Sequence, residues 1–157
     1  EDLLLDIEPS NSADSSVYLV TPLFMSDSKL PLWREKLTKL VAAGYTRFVV
    51  STYGMIPVLR EISHTLTLVA GHYLYCVNRW TLTSLLSSGI KMIVLPSDVD
   101  ERELNPLNRS SLVVRVANIR TEYFVTRLRL PCKEYHYKGE KLKVLSMDEY
   151  DTLVIDK

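Results

Sequence analysis

Glycine is scarce: five residues, at 44, 54, 71, 89 and 139, none spaced as G-x-G-x-x-G or as a phosphate-binding P-loop. Without clustered glycines the backbone N–H groups cannot wrap a phosphate chain, so there is no nucleotide motif and nucleotide-dependent chemistry is not expected. Cysteine is scarcer still, with only Cys76 and Cys132, far apart and in no C-x-x-C pair. The economical reading is two reduced, partly buried thiols; a disulfide or a shared metal site is the alternative. No apolar run approaches the roughly 18–20 residues that cross a bilayer, so no membrane partner is expected. Nineteen Lys+Arg balance nineteen Asp+Glu. That leaves no net charge to steer the chain to a polyanion, and dedicated nucleic-acid binding is not expected. No basic-then-apolar leader opens the chain. It begins at Glu1, as a processed form or an excised domain does, and the expected location is cytoplasmic.

What is present is an ordinary globular composition. An apolar fraction of 46% with 24% charged residues suits a packed core, and 157 residues suffice for one domain. Residues 1–16 end in Pro-Ser-Asn-Ser-Ala-Asp-Ser-Ser and read as a tail or linker. Residues 17–120 then alternate short apolar runs with amphipathic stretches. Val17–Thr21 is the first strand. Trp33, Leu37, Leu40 and Val41 recur at helical spacing, with Pro31 near the helix start and Gly44 at its stop. Arg47–Ser51 is a strand of the doubly buried, parallel type. Met55, Val58, Leu59 and Ile62 stripe a second helix, in which Pro57 is tolerable only in the first turn.

Leu66–Ala70 and Met92–Leu95 are the next two strands. Between them Asn78 is placed to cap a helix whose expected buried face is Trp80, Leu82, Leu85 and Leu86. Asp98 with Glu101 fits a capping box for a short helix ending near Pro106, and Leu112–Val116 suits a fifth parallel strand. The segment Leu37–Gly44 recurs as Leu82–Gly89, each copy leading into an apolar strand. Helix–Gly–strand corners converge on such a pattern, because glycine accepts the left-handed cap conformation. The repeat of about 22 residues per βα unit is barrel-like.

Residues 121–157 form a β-rich segment. Tyr123–Leu130 alternates at period two, and Lys141–Leu145 and Thr152–Ile155 flank a polar turn. The expected class is therefore α/β: four to five βα units wound like half of a (β/α)8 barrel, or an open parallel sheet, with β-rich residues at the end. An open half-barrel exposes sheet edges. It is expected to pair with the other half of a larger chain, to form a homo-oligomer, or to flatten.

In parallel βα architectures ligands bind beyond the carboxyl ends of the strands. Here that rim holds Thr21, Ser51–Gly54, Gly71–Tyr73, Tyr75, Asn78 and Pro96–Asp98. His72 suits a general base, and Asp98 could orient it or bind a cation. Each also has a structural reading, His72 as a hydrogen-bonded surface residue and both Asp98 and Asn78 as helix caps. Ser51 has no G-x-S-x-G context, and no histidine has a metal-ligand partner at short spacing, so no metal site is assigned. Arg127, Arg129 and Lys133 could hold an anion, though a solvated strand face explains them as well.

The order strand, Leu74-Tyr75-Cys76-Val77-Asn78, helix ending at Gly89, apolar strand, Leu95-Pro96-Ser97-Asp98 resembles the carboxyl-terminal part of peptidase family U32, the collagenase-like proteases. That family carries L-N-x-x-N, a helix ending at Gly, then a strand ending near L-S-x-E. Leu74 and Asn78 match the first pattern, with Tyr75 in place of its first Asn. Leu95 and Asp98 match the second, with Pro96 for Ser and Asp for Glu. Phe124-Val125-Thr126-Arg127 is similar to the family's apolar-Met-x-T-R segment, and the likeness spans roughly residues 17–130.

The resemblance implies the second half of a (β/α) barrel acting on a peptide or protein. On that reading the catalytic candidates are Asn78, Asp98 and His72, and Ser51, Tyr75 and Arg127 hold substrate. The family's cysteine-rich amino-terminal half is not present. Relatives that hydroxylate RNA or quinones need an iron–sulfur cluster held by several cysteines. With Cys76 and Cys132 alone a cluster is not expected here, and the isolated chain is expected to be inactive. The alternative is a non-catalytic interaction or assembly domain.

Overall fold

The computed structural model describes residues 16–96, 99, 112–114, 122–147 and 149–155. The chain divides into two compact units, Glu1–Val116 and Ala117–Lys157. In the first, β1 (Leu19–Val20), α1 (Leu30–Ala42), β2 (Arg47–Val50), α2 (Met55–Ile62), β3 (Thr67–Ala70), α3 (Arg79–Ser87), β4 (Ile90–Val94) and β5 (Val113–Val114) follow in turn. The five strands are all parallel and stand in the order β1-β2-β3-β4-β5. The α/β class is as expected, in its open-sheet form: among the described residues the sheet does not close into a barrel.

That order never reverses. Right-handed crossovers that always step the same way carry every helix to one face of the sheet. The burial pattern agrees. Leu19, Phe48, Val50, Leu68, Ala70, Ile90 and Ile93 join one core with Trp33, Leu37, Leu40, Met55, Val58, Leu59 and Leu85 from the three helices. The alternate strand positions Val20, Val49, Val69, Met92, Val94 and Val114 do not enter that core. Val20 is 51% and Val114 41% exposed. The sheet therefore has one helix-covered face and one apolar face outside that core, exposed at Val20 and Val114, half-buried at Val49, Met92 and Val94, and buried at Val69.

Local chemistry accounts for the helices. Pro31 and Pro57 both lie in first turns, where no intrahelical N–H is needed. Asn78 caps α3, its Oδ1 accepting from the Thr81 N–H at 2.9 Å. Gly44 and Gly89 follow the ends of α1 and α3 with φ of 100° and 87°, so the internal echo marks two left-handed helix stops. Arg60 braces this end of the sheet. Its guanidinium donates to the carbonyls of His64 at 3.0 Å, Leu66 at 2.8 Å and Gly89 at 2.6 Å.

Two expectations about this unit need correction. Trp80 is 87% exposed rather than buried. It stands two positions before Leu82 and five before Leu85, which at 100° per residue turns it to the opposite side of α3 from those leucines. The first strand is two residues long rather than five. The capping box at Asp98 and Glu101 lies outside the described residues.

In the second unit β6 (Glu122–Thr126), β7 (Glu134–Tyr137), β8 (Glu140–Ser146) and β9 (Asp151–Ile155) form an antiparallel sheet ordered β6-β9-β8-β7. The strand expected to run to Leu130 stops at Thr126. Beyond it the Leu128 N–H turns back to Thr126 Oγ1, and Asp151 takes the Leu130 N–H and the Arg129 guanidinium, both at 2.7 Å. Arg129 is thus bonded to a carboxylate while its side chain stays 53% exposed. Strand β7 was not anticipated. Its turn into β8 is Lys138-Gly139, both at positive φ (49° and 84°), the geometry of a two-residue hairpin. The sheet curls enough for Tyr123 on one edge strand to meet Tyr137 on the other, ring centroids 6.0 Å apart.

Candidate functional site

The parallel register brings the carboxyl ends of β1 to β4 to one rim, and each ladder runs slightly past its strand. The Thr21 N–H donates to Val49 O at 2.9 Å, Gly71 N–H to Val50 O at 2.8 Å and Leu95 N–H to Val114 O at 3.0 Å. All three helices begin at this rim.

Ser51 follows β2 and is buried, 5% exposed. Its hydroxyl donates to Thr21 O at 2.7 Å, and its N–H donates to Thr21 Oγ1 at 3.0 Å. The pair ties β1 to β2 just past the last regular rung. With its one hydroxyl proton committed, Ser51 can offer a ligand only a lone pair.

The β3–α3 connection carries most of the candidates. His72 opens a 3-10 turn, His72–Leu74, half-buried, with its ring 4.0 Å from that of Tyr73. Tyr75 closes the turn in the left-handed region (φ 50°, ψ 55°), uncommon for a bulky side chain, and is half-exposed. Asn78 is exposed. Its Oδ1 accepts from both the N–H and the hydroxyl of Thr81, at 2.9 and 3.2 Å, so the cap uses its oxygen and leaves the amide hydrogens to face outward chemistry. His72, Tyr75 and Asn78 therefore share one short connection.

The remaining candidates are elsewhere. Asp98 lies outside the described residues. Arg127 follows β6 in the second unit and is exposed. Cys76 is free and buried, and burial pushes its thiol above the ordinary range, away from thiolate chemistry. Cys132 is free but exposed, not partly buried as expected. Among the described residues no group of three His, Cys, Asp or Glu is placed to hold a metal ion. No described helix is long and apolar enough to cross a membrane.

Tyr53 lies within the expected rim, whereas Arg79 and Trp80 were not placed there. Tyr53, in the β2–α2 connection, donates its hydroxyl to Leu74 O at 3.5 Å and links the two connections. Arg79 and Trp80 occupy the first turn of α3, both exposed. The signal for Trp80 was available: its offset from Leu82 and Leu85 is not a same-face spacing.

The family model described as Peptidase family U32 matches residues 1–127. The match takes in the first sixteen residues, where the sequence reading placed a tail, and stops just after β6. No curated protein and no solved structure matches the chain.

Proposed function

From the premise that this chain belongs to peptidase family U32, we propose that its first unit is one part of a (β/α) barrel whose rim contributes to a peptide or protein site. A second part completes that site. The observation that carries this is the apolar row opposite the helices, exposed at Val20 and Val114 and half-buried at Val49, Met92 and Val94. Parallel sheets are covered on both faces, and the inner face of a barrel is covered by its own remaining strands. The completing part is the amino-terminal half of a larger chain; a second copy of this chain is the alternative.

In that site the Asn78 amide hydrogens donate to a substrate carbonyl. His72 moves the proton, and Ser51 and Tyr75 hold the substrate. General acid–base work of this kind is worth roughly 10²–10⁴ in rate. In the completed protein, Ala at Asn78 and His72 is expected to reduce peptide hydrolysis by about a hundredfold or more. Circular dichroism would confirm retained folding. Unchanged turnover by folded variants would overturn the assignment.

The second reading is a non-catalytic assembly domain. It is favoured by Ser51 and Asn78 already holding structural hydrogen bonds. A completed protein that binds partners through the rim but cleaves no peptide would support it.

A further inference from the structure

Trp80 is 87% exposed, more than any other large apolar side chain among the described residues. It does not stand alone on the rim. Tyr53 (53% exposed) and Tyr75 (50%) project from the two neighbouring connections, which the Tyr53 hydroxyl links through Leu74 O. Past their first turns, α1, α2 and α3 expose no large apolar side chain. The exposed aromatics of the helical layer are thus confined to the end where ligands of parallel βα sheets bind.

The connections 51–54 and 71–78 contain no carboxylate, and neither α2 nor α3 has an acidic residue in its first turn. Arg79 sits beside Trp80. The amino-terminal ends of helices are themselves partially positive. Trp, Tyr and Arg together are the composition that carries most of the energy where polypeptides are gripped, because rigid rings bury area at small entropic loss.

We propose that Tyr53, Tyr75 and Trp80 are the specificity surface of the rim, taking an aromatic side chain of a peptide whose neighbouring residues are acidic rather than basic. This rests on the reading of the rim as a peptide site, and it names which peptides. The ring packs against Trp80 and Tyr75, and the flanking carboxylate meets Arg79. A flanking lysine meets Arg79 as like charge.

The chain has two tryptophans, and Trp33 is buried at 4% exposure, so ligand-dependent change in emission reports Trp80. The 157-residue chain is titrated with three blocked peptides of equal length, carrying Glu-Phe-Glu, Lys-Phe-Lys or Glu-Ala-Glu at the centre, and with an oligonucleotide. Glu-Phe-Glu is expected to shift the emission to the blue and to bind about tenfold or more tighter than the other peptides. Trp80→Ala and Tyr75→Gly are expected to weaken it by a similar factor, measured by anisotropy of labelled peptide. Glycine at 75 accepts the left-handed backbone, so that variant keeps the fold.

Equal binding of Lys-Phe-Lys, undiminished binding by Trp80→Ala, or a response to the oligonucleotide alone overturns the proposal. Binding is read without turnover. Peptide binding without hydrolysis in the completed protein would therefore sink the catalytic reading and leave this one, and hydrolysis that ignores the aromatic would do the reverse.

Discussion

At the scale of single residues, several rim side chains have two occupations. Asn78 caps α3 through its oxygen and offers its amide hydrogens to a ligand, and substitution can separate the two. Asn78→Ala should cost about 1 kcal/mol of stability in urea titration. Asn78→Asp keeps a capping oxygen and should hold stability to within about 0.5 kcal/mol while removing the donors. If activity in the completed protein survives Asn78→Asp, the amide has no part in it. Asp151 is the matching case in the second unit. The Leu130 N–H, then the Arg129 and Ser146 side chains, hold its carboxyl below the ordinary range against the opposing effect of burial. A carboxyl depressed on folding adds stability that is fully present above its unfolded value, near 4, and is lost as pH falls through the lower folded value. Acid unfolding of the second unit should thus steepen below about pH 4 and flatten in Asp151→Asn, followed by circular dichroism across pH. An unchanged acid limb would show that this carboxylate does not govern it. The Asn78 cap was legible because capping is local in sequence; the Thr21 partner of Ser51, thirty positions away, was not.

Elements were legible where one periodicity ruled. The helices α1 and α2 follow their apolar stripes, and the echo of Leu37–Gly44 in Leu82–Gly89 marks two glycine stops at positive φ. At Gly89 an added Cβ would also meet the Arg60 guanidinium at 3.0 Å. Gly89→Ala combines left-handed strain with pressure on the brace that holds His64, Leu66 and Gly89, and should lower stability by about 1–3 kcal/mol. Thermal melts of Gly89→Ala and Arg60→Met should fall together, and a neutral Gly89→Ala would remove the brace from the account. Elements were misread where tertiary demands cut across the pattern. β6 ends early because Asp151 captures the chain after it, and β7 is too polar to announce itself except through the Lys138-Gly139 turn.

For the whole molecule the governing fact is a parallel sheet whose order never reverses, covered by helices on one face. Val20 and Val114 lie exposed on the other face and Val50 in the core. Val20→Thr with Val114→Thr should leave stability within about 0.5 kcal/mol and reduce both hydrophobic-dye binding and self-association by light scattering. Val50→Thr buries a hydroxyl and should cost about 1–3 kcal/mol. If the paired substitution destabilises the chain as much as Val50→Thr does, that face is already covered within the chain and the need for a completing part disappears.

The sequence by itself determined the α/β class, the helix stops, the Asn78 cap and the family, because each is written in neighbouring residues or in a motif order that survives without coordinates. Only the tertiary structure decided which face of the sheet the helices cover, that Trp80 points to solvent, and that Ser51 is tied to Thr21. Those depend on strand order and on which distant segments meet, and a short apolar run such as Phe48-Val49-Val50 reads the same whether its far side is covered or open.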